Sequence, residues 1–162
     1  MVIAGHYAIV FGNGPADRKK GFSMFKTILV PMDIESQKSP EDMLNAVDRL
    51  ADKDAIVRFL FVVHSTPTLV AQFLPSDFEK RASEESLARL KELAGRVDLG
   101  KRRTDFTVVH GDVYPEILRV ADEHKADLIV LASHKPEFED YLLGTNAARV
   151  VRHSKCTVLV LR

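Results

Sequence analysis

Two groups of residues in this chain have types and spacing suited to a phosphorylated ligand. The first is Asp33, which follows the apolar run Lys26-Thr27-Ile28-Leu29-Val30-Pro31-Met32. Its carboxylate could accept a hydrogen bond from an adenine amino group or a ribose hydroxyl, or it could cap the turn before the next helix. The second is Ser133 to Asn146, which ends in Gly144-Thr145 where a helix pattern begins. A helix start presents N–H groups without intrahelical partners, and glycine lets backbone approach a ligand closely. The same pair also reads as a plain Gly-Thr helix cap. His134 in this loop could touch a phosphate or stay in solvent.

Other chemistries lack their residues. The six His are scattered and have no Cys partners, so no metal site is expected. There is no G-x-x-x-x-G-K-[ST] phosphate loop and no G-x-S-x-G elbow. No catalytic residue is assigned. The single cysteine, Cys156, sits at the mouth of an apolar strand and reads as a small core residue.

The elements that must position these groups alternate along the chain. Apolar runs at 26–31, 56–63, 105–110, 128–131 and 157–161 read as strands. Helices are expected between them. Ser39-Pro40-Glu41-Asp42 is a helix start, Ser76 to Glu79 is a capping box, and Asp112 is a cap for the helix carrying Ile117 and Val120. This order predicts a three-layer α/β/α domain with a five-stranded parallel sheet, wound in a flavodoxin-like or Rossmann-like way. In such sheets ligands bind beyond the carboxyl ends of the strands, where the strand order reverses. Four segments should reach that edge: Pro31 to Asp33, Val62 to His64, His110-Gly111 and Ala132 to His134.

Residues 1–23 do not share this pattern, because Gly12-Asn13-Gly14-Pro15 breaks any regular element. They are expected to be a loosely ordered extension, with one domain at 24–162. The opening MVIAGHYAIV lacks the basic start of a secretory signal. Lys+Arg 23 balances Asp+Glu 23, which argues against nucleic acid as the main partner. No apolar run reaches membrane-spanning length. One cysteine permits no intrachain disulfide, so a reducing, cytoplasmic setting is expected.

From Phe25 to Arg162 the chain resembles the universal stress protein (UspA-type) family. The resemblance rests on FKTILVPMD at the first strand and on YLLGTNAARVVRHSKCTVLVLR at the end. It implies a Rossmann-like, adenine nucleotide alpha hydrolase-like sheet of strand order 3-2-1-4-5. It also implies an ATP-binding, homodimeric stress-response protein. The ATP-binding branch carries G-x2-G-x9-G-[ST]. Here Ala132 replaces the first Gly, Lys135 stands near the second, and eight residues separate Lys135 from Gly144. A one-residue deletion at the second Gly accounts for this spacing and matches the short-loop UspF/UspG branch.

Carried over, Pro31, Met32 and Asp33 would contact adenine or ribose, and Val62 would pack on adenine. Ala132, Ser133, His134 and Lys135 would approach ribose and phosphates, and Gly144, Thr145 and Asn146 would hold the phosphates. The resemblance makes Thr157, Val158, Leu159, Val160 and Leu161 a dimer edge, in keeping with an apolar edge strand that must be covered. Bound ATP would bring Mg²⁺ through its phosphates. No enzymatic activity is expected beyond slow ATP hydrolysis or autophosphorylation. A dimeric adaptor that has lost ATP through the altered glycine loop, and a small nucleotidyl-transferring enzyme, are the competing readings.

Overall fold

Among the residues that this computed structural model describes, seven strands form one sheet. Those residues are 2–4, 7–10, 25–36, 40–64, 75, 77–132 and 144–161, of which 2–4 and 7–10 are described by their backbone course. The strands are β1 (Val2–Ala4), β2 (Tyr7–Val10), β3 (Phe25–Pro31), β4 (Ala51–Val63), β5 (Arg103–His110), β6 (Leu128–Ala132) and β7 (Thr157–Leu161). The helices are α1 (Glu41–Leu50), α2 (Phe78–Ala94), α3 (Val113–Glu123) and α4 (Thr145–His153). The sheet order is β1-β2-β7-β6-β3-β4-β5. The five strands from β3 onward pair in parallel, in the order 3-2-1-4-5 when counted among themselves.

Period-two alternation explains why the helices fall on two faces. Ile28 and Val30 of β3 and Val57 and Phe59 of β4 pack with Met43, Leu44 and Val47 of α1 and Leu90 of α2. The intervening Leu29, Leu60 and Val62 pack with Ile117 and Val120 of α3 and Val150 of α4. A strand covered on both faces has apolar residues at every position, which is why these segments read as continuous apolar runs. Cys156 is half-buried against the second cluster. Burial pushes its thiol pKa up, while the Ser154 hydroxyl pulls the other way.

Residues 2–4 and 7–10 lie within the expected extension. They form an antiparallel hairpin, with Ile9 opposite Val2 and Leu159. The last strand is therefore not an open edge within the chain. The polar run after Val10 hides from sequence patterning that a short apolar segment can reach back to β7. Helix starts also shift. α1 begins at Glu41, and Leu44 N–H donates to Pro40 O at 2.9 Å. α2 begins at Phe78 after Asp77. The expected caps Ser39 and Ser76 lie outside the described residues. Asp112 precedes α3 but makes no side-chain cap bond, and its carbonyl instead accepts Glu116 N–H at 3.1 Å. β4 starts earlier than expected, at Ala51, because its polar lead-in is tied down from outside. Arg102 donates to the carbonyls of Asp48, Ala51, Asp52 and Leu99 and to the Asp48 carboxylate.

A second fastener joins β3 to β6 at the start of both strands. The Asp127 carboxylate accepts Lys26 N–H at 2.8 Å and Thr27 N–H at 3.0 Å. Asp127 N–H donates back to Thr27 O at 2.9 Å. Hydrogen bonds to a charged acceptor contribute about 1.5–3 kcal/mol. Asp127→Ala is expected to cost about that much, lowering the melting temperature by roughly 3–12 °C. Thermal unfolding followed by circular dichroism measures this; a shift under a degree would show that water replaces the carboxylate.

Candidate functional site

The strand order reverses at β3. From there the chain moves outward to β4 and β5, then returns to place β6 on the other side. At the carboxyl ends of β3, β4 and β6 lies a cavity of about 600 Å³, within the range of small-molecule sites. Met32 N–H bonds to Leu60 O at 2.8 Å, carrying the β3–β4 pairing one residue past the strand. That bond sets Met32 in the wall and leaves Asp33 exposed at the rim. Asp33 Oδ1 accepts Glu35 N–H at 3.0 Å, so Asp33 does cap its own turn. Capping through one oxygen does not remove the carboxylate from the cavity, which it lines with Glu35.

The opposite wall is the start of α4. Gly144 is its N-cap and, being glycine, brings no side-chain cap of its own. The helical ladder opens with Ala148 N–H to Gly144 O at 2.9 Å. The N–H groups of Thr145, Asn146 and Ala147 precede that first bond, at the positive end of the helix dipole. Gly144 through Ala147 all line the cavity. Leu60, Val62, Ile117 and Leu131 form its apolar floor. A flat aromatic group on that floor would have Asp33 on one side and the helix start on the other.

Pro31, Met32, Asp33, Val62, Ala132, Gly144, Thr145 and Asn146 thus line one cavity. Ser133, His134 and Lys135 lie outside the described residues. His64 lines the cavity, but His110 and Gly111 do not. β5 is the outer strand, and His110 Nε2 instead lies 3.0 Å from Ser83 Oγ of α2. Gly111 holds φ +150°, and a Cβ there would meet Glu116 Cγ at 3.0 Å, so glycine is needed for this turn. Sequence reasoning missed Leu60, Phe61, Leu131 and Ala147 in addition to Glu35, Val113 and Ile117. The inward-facing apolar spacing of α3 carries the signal for the last two, once that helix is placed beside β4.

Electrostatically the described lining is one-sided. Asp33 and Glu35 are acids, and no Lys or Arg is among the described lining residues. Among the described residues no group of three or more His, Cys, Asp or Glu side chains could hold a metal ion. None of the described helices is long and apolar enough to cross a membrane.

The relatives agree with this architecture. Universal stress protein G of Escherichia coli O157:H7 is 30% identical over 142 residues, covering 86% of this chain and all of that one. The solved structure of hypothetical protein MJ0577 superposes with a TM-score of 0.69 at 25% identity, covering 86% of this chain and 96% of that one. A universal stress protein solved in complex with cAMP has the same fold, with a TM-score of 0.57 at 24% identity over 86% of this chain and 98% of its own. The universal stress protein family model matches residues 24–162, from the residue before β3 to the end of the chain. With that match and this sheet order, the chain belongs to the universal stress protein family.

Proposed function

We propose that this protein binds ATP, in a homodimer, as a regulatory component of a stress response rather than as an enzyme. One observation carries the reading. Asp33 at the end of β3 and the start of α4 face a single cavity at the switch point of a parallel sheet. In this assignment Pro31, Met32, Asp33 and Val62 hold adenosine, and Gly144, Thr145 and Asn146 hold the phosphates. That a family member of this fold was solved with cAMP supports an adenine nucleotide as the ligand class. The acids at the rim mean that a polyphosphate needs positive charge from elsewhere. Mg²⁺ carried by the phosphates supplies part of it. Lys135, two residues after Ser133, supplies the rest. The dimer edge is Thr157 to Leu161, which a second copy reaches only when β2 leaves it, and the setting is cytoplasmic.

The test is calorimetric titration of the full-length protein with ATP and with AMP, with and without Mg²⁺. Acid extraction of the freshly purified protein, assayed for carried-over ATP, accompanies it. Lys135→Ala is expected to weaken ATP more than AMP, because an ammonium acts as a point charge on the outer phosphates. Equal losses for both would remove Lys135 from the phosphates. No binding at millimolar ATP would overturn the nucleotide reading. It would favour the nucleotide-free adaptor, for which the acidic lining and Ala132 in the glycine position are the supporting observations. Phosphate release at several turnovers per second, near ordinary enzyme rates, would make the protein an enzyme.

A further inference from the structure

The strand β7 has two edges, and this chain occupies both. β6 takes one in parallel, and β2 takes the other in antiparallel register, from Tyr7 opposite Leu161 to Val10 opposite Val158. The family match begins at Met24, so the hairpin lies outside it. We infer that the hairpin β1–β2 gates self-association: it competes with a second copy of this chain for the outer edge of β7. The inference rests on the homodimer reading above.

The edge accepts either occupant for the same reason. Two copies of β7 related by a two-fold axis meet antiparallel, the pairing sense that β2 already uses. A two-fold through Leu159 would set Thr157 against the partner's Leu161. An edge strand whose own residues Val158 to Leu161 are buried cannot present β2 and a second β7 with the same N–H and C=O groups at once. Only one can bind.

Reach and concentration decide which one. Val10 lies three strand spacings from β3 in the sheet, and its register partner Val158 is level with Leu29, four residues beyond Phe25. With about 4.8 Å between strands and 3.3 Å rise per residue, Val10 and Phe25 are about 20 Å apart. The 14 residues from 11 to 24 can span more than twice that, up to ~46 Å. A connection of that length is therefore long enough for the hairpin to leave β7 and return. Joining two binding segments through a chain of this length makes re-pairing intramolecular, with an effective concentration on the order of millimolar. Against a second copy at about 10 µM, the hairpin holds a roughly 100-fold advantage at equal pairing strength.

Sedimentation velocity on the full chain tests this at about 10 µM, beside the full-length double variant Ala8→Pro/Ile9→Pro. Adjacent strand residues point their N–H groups to opposite sides, so one of the two prolines must face β7. The unmodified chain is expected near its monomer mass of 18.1 kDa, and the variant as a dimer, with self-association tightened by at least ~100-fold because both copies must otherwise release a hairpin. If both are dimers, the gate is overturned while the homodimer reading stands. If both are monomers, the homodimer reading falls and the gate falls with it.

Should the proline variant lose its circular dichroism spectrum, Ile9→Cys/Leu159→Cys in a Cys156→Ser background decides instead. Ile9 and Leu159 are direct register partners, close enough for a disulfide in an antiparallel pair. An intrachain bond at monomer mass on a non-reducing gel, with the oxidised protein monomeric and the reduced one able to dimerise, supports the gate. An interchain bond, or none, overturns it.

Discussion

Thr145→Glu is expected to remove nucleotide binding while leaving the fold as stable as before, or slightly more so. Thr145 is the first residue of α4, exposed, and part of the cavity wall. A carboxylate there would stand where the phosphates are proposed to lie. Juxtaposed like charges cost several kcal/mol in a recognition site. ATP affinity should therefore fall by at least ~100-fold, about 2.7 kcal/mol. The same carboxylate sits at the positive end of the helix dipole, where an acid contributes about 0.3–1 kcal/mol of stability. The two signs separate the explanations. Unfolding would lower the melting temperature and affinity together, whereas loss of the phosphate site lowers affinity alone. Thr145→Ser keeps a hydroxyl and should bind within a few-fold of the original. Unchanged ATP titration of the glutamate variant would place the phosphates elsewhere.

The reverse pattern is expected of Phe59→Ala. Phe59 is fully buried in the middle of β4 and stacks on Phe106 of β5, with ring centroids 5.4 Å apart and an interplanar angle of 19°. Truncating a core phenylalanine costs about 3–5 kcal/mol through lost transfer energy and the cavity left behind. That is a large share of the ~5–15 kcal/mol by which domains are stable. The melting temperature should fall by roughly 6–20 °C. Phe59 faces α1 and α2, while its neighbour Leu60 faces the cavity from the other side of the sheet. ATP affinity measured below the transition should stay within about three-fold. Thermal unfolding and titration on one preparation check both halves; a large loss of affinity in the folded protein would mean that the two faces of β4 are coupled.

These two residues also mark what could be read from sequence. Phe59 lies in a run so apolar that only a strand covered on both faces explains it, and alternation then assigns each residue its side. Thr145 follows a glycine at a helix start, a local signal that survives whatever the distant chain does. Both depend on neighbours a few residues away. Glu35 and Ile117 were not legible as lining residues because their place depends on how a turn and a helix sit against strands far along the chain. Asp112 reads as a cap by type, yet its side chain makes no cap bond, and its carbonyl only begins the helical ladder. Sequence makes β7 an edge that a second copy must cover and does not reveal β2 as its cover, because β2 precedes it by some 150 residues and has no repeating pattern of its own. Ladder partners of that kind are set by three-dimensional closure, which composition and period do not encode.

The Asp127 fastener has a consequence for how the chain folds. β3, β4 and β5 are consecutive in the sequence and can pair with α1 and α2 as soon as they exist. The other edge of β3 has to wait for β6. Lys26 and Thr27 lie 101 and 100 residues from the carboxylate that receives their N–H groups. Closing a loop of that length costs about 4 kcal/mol in chain entropy before any local stiffness is counted. Long-range parallel pairing of this kind slows folding towards milliseconds to seconds. On a ribosome, the middle strand of the five parallel ones is thus an exposed edge for as long as it takes to synthesise and release residues 111–132.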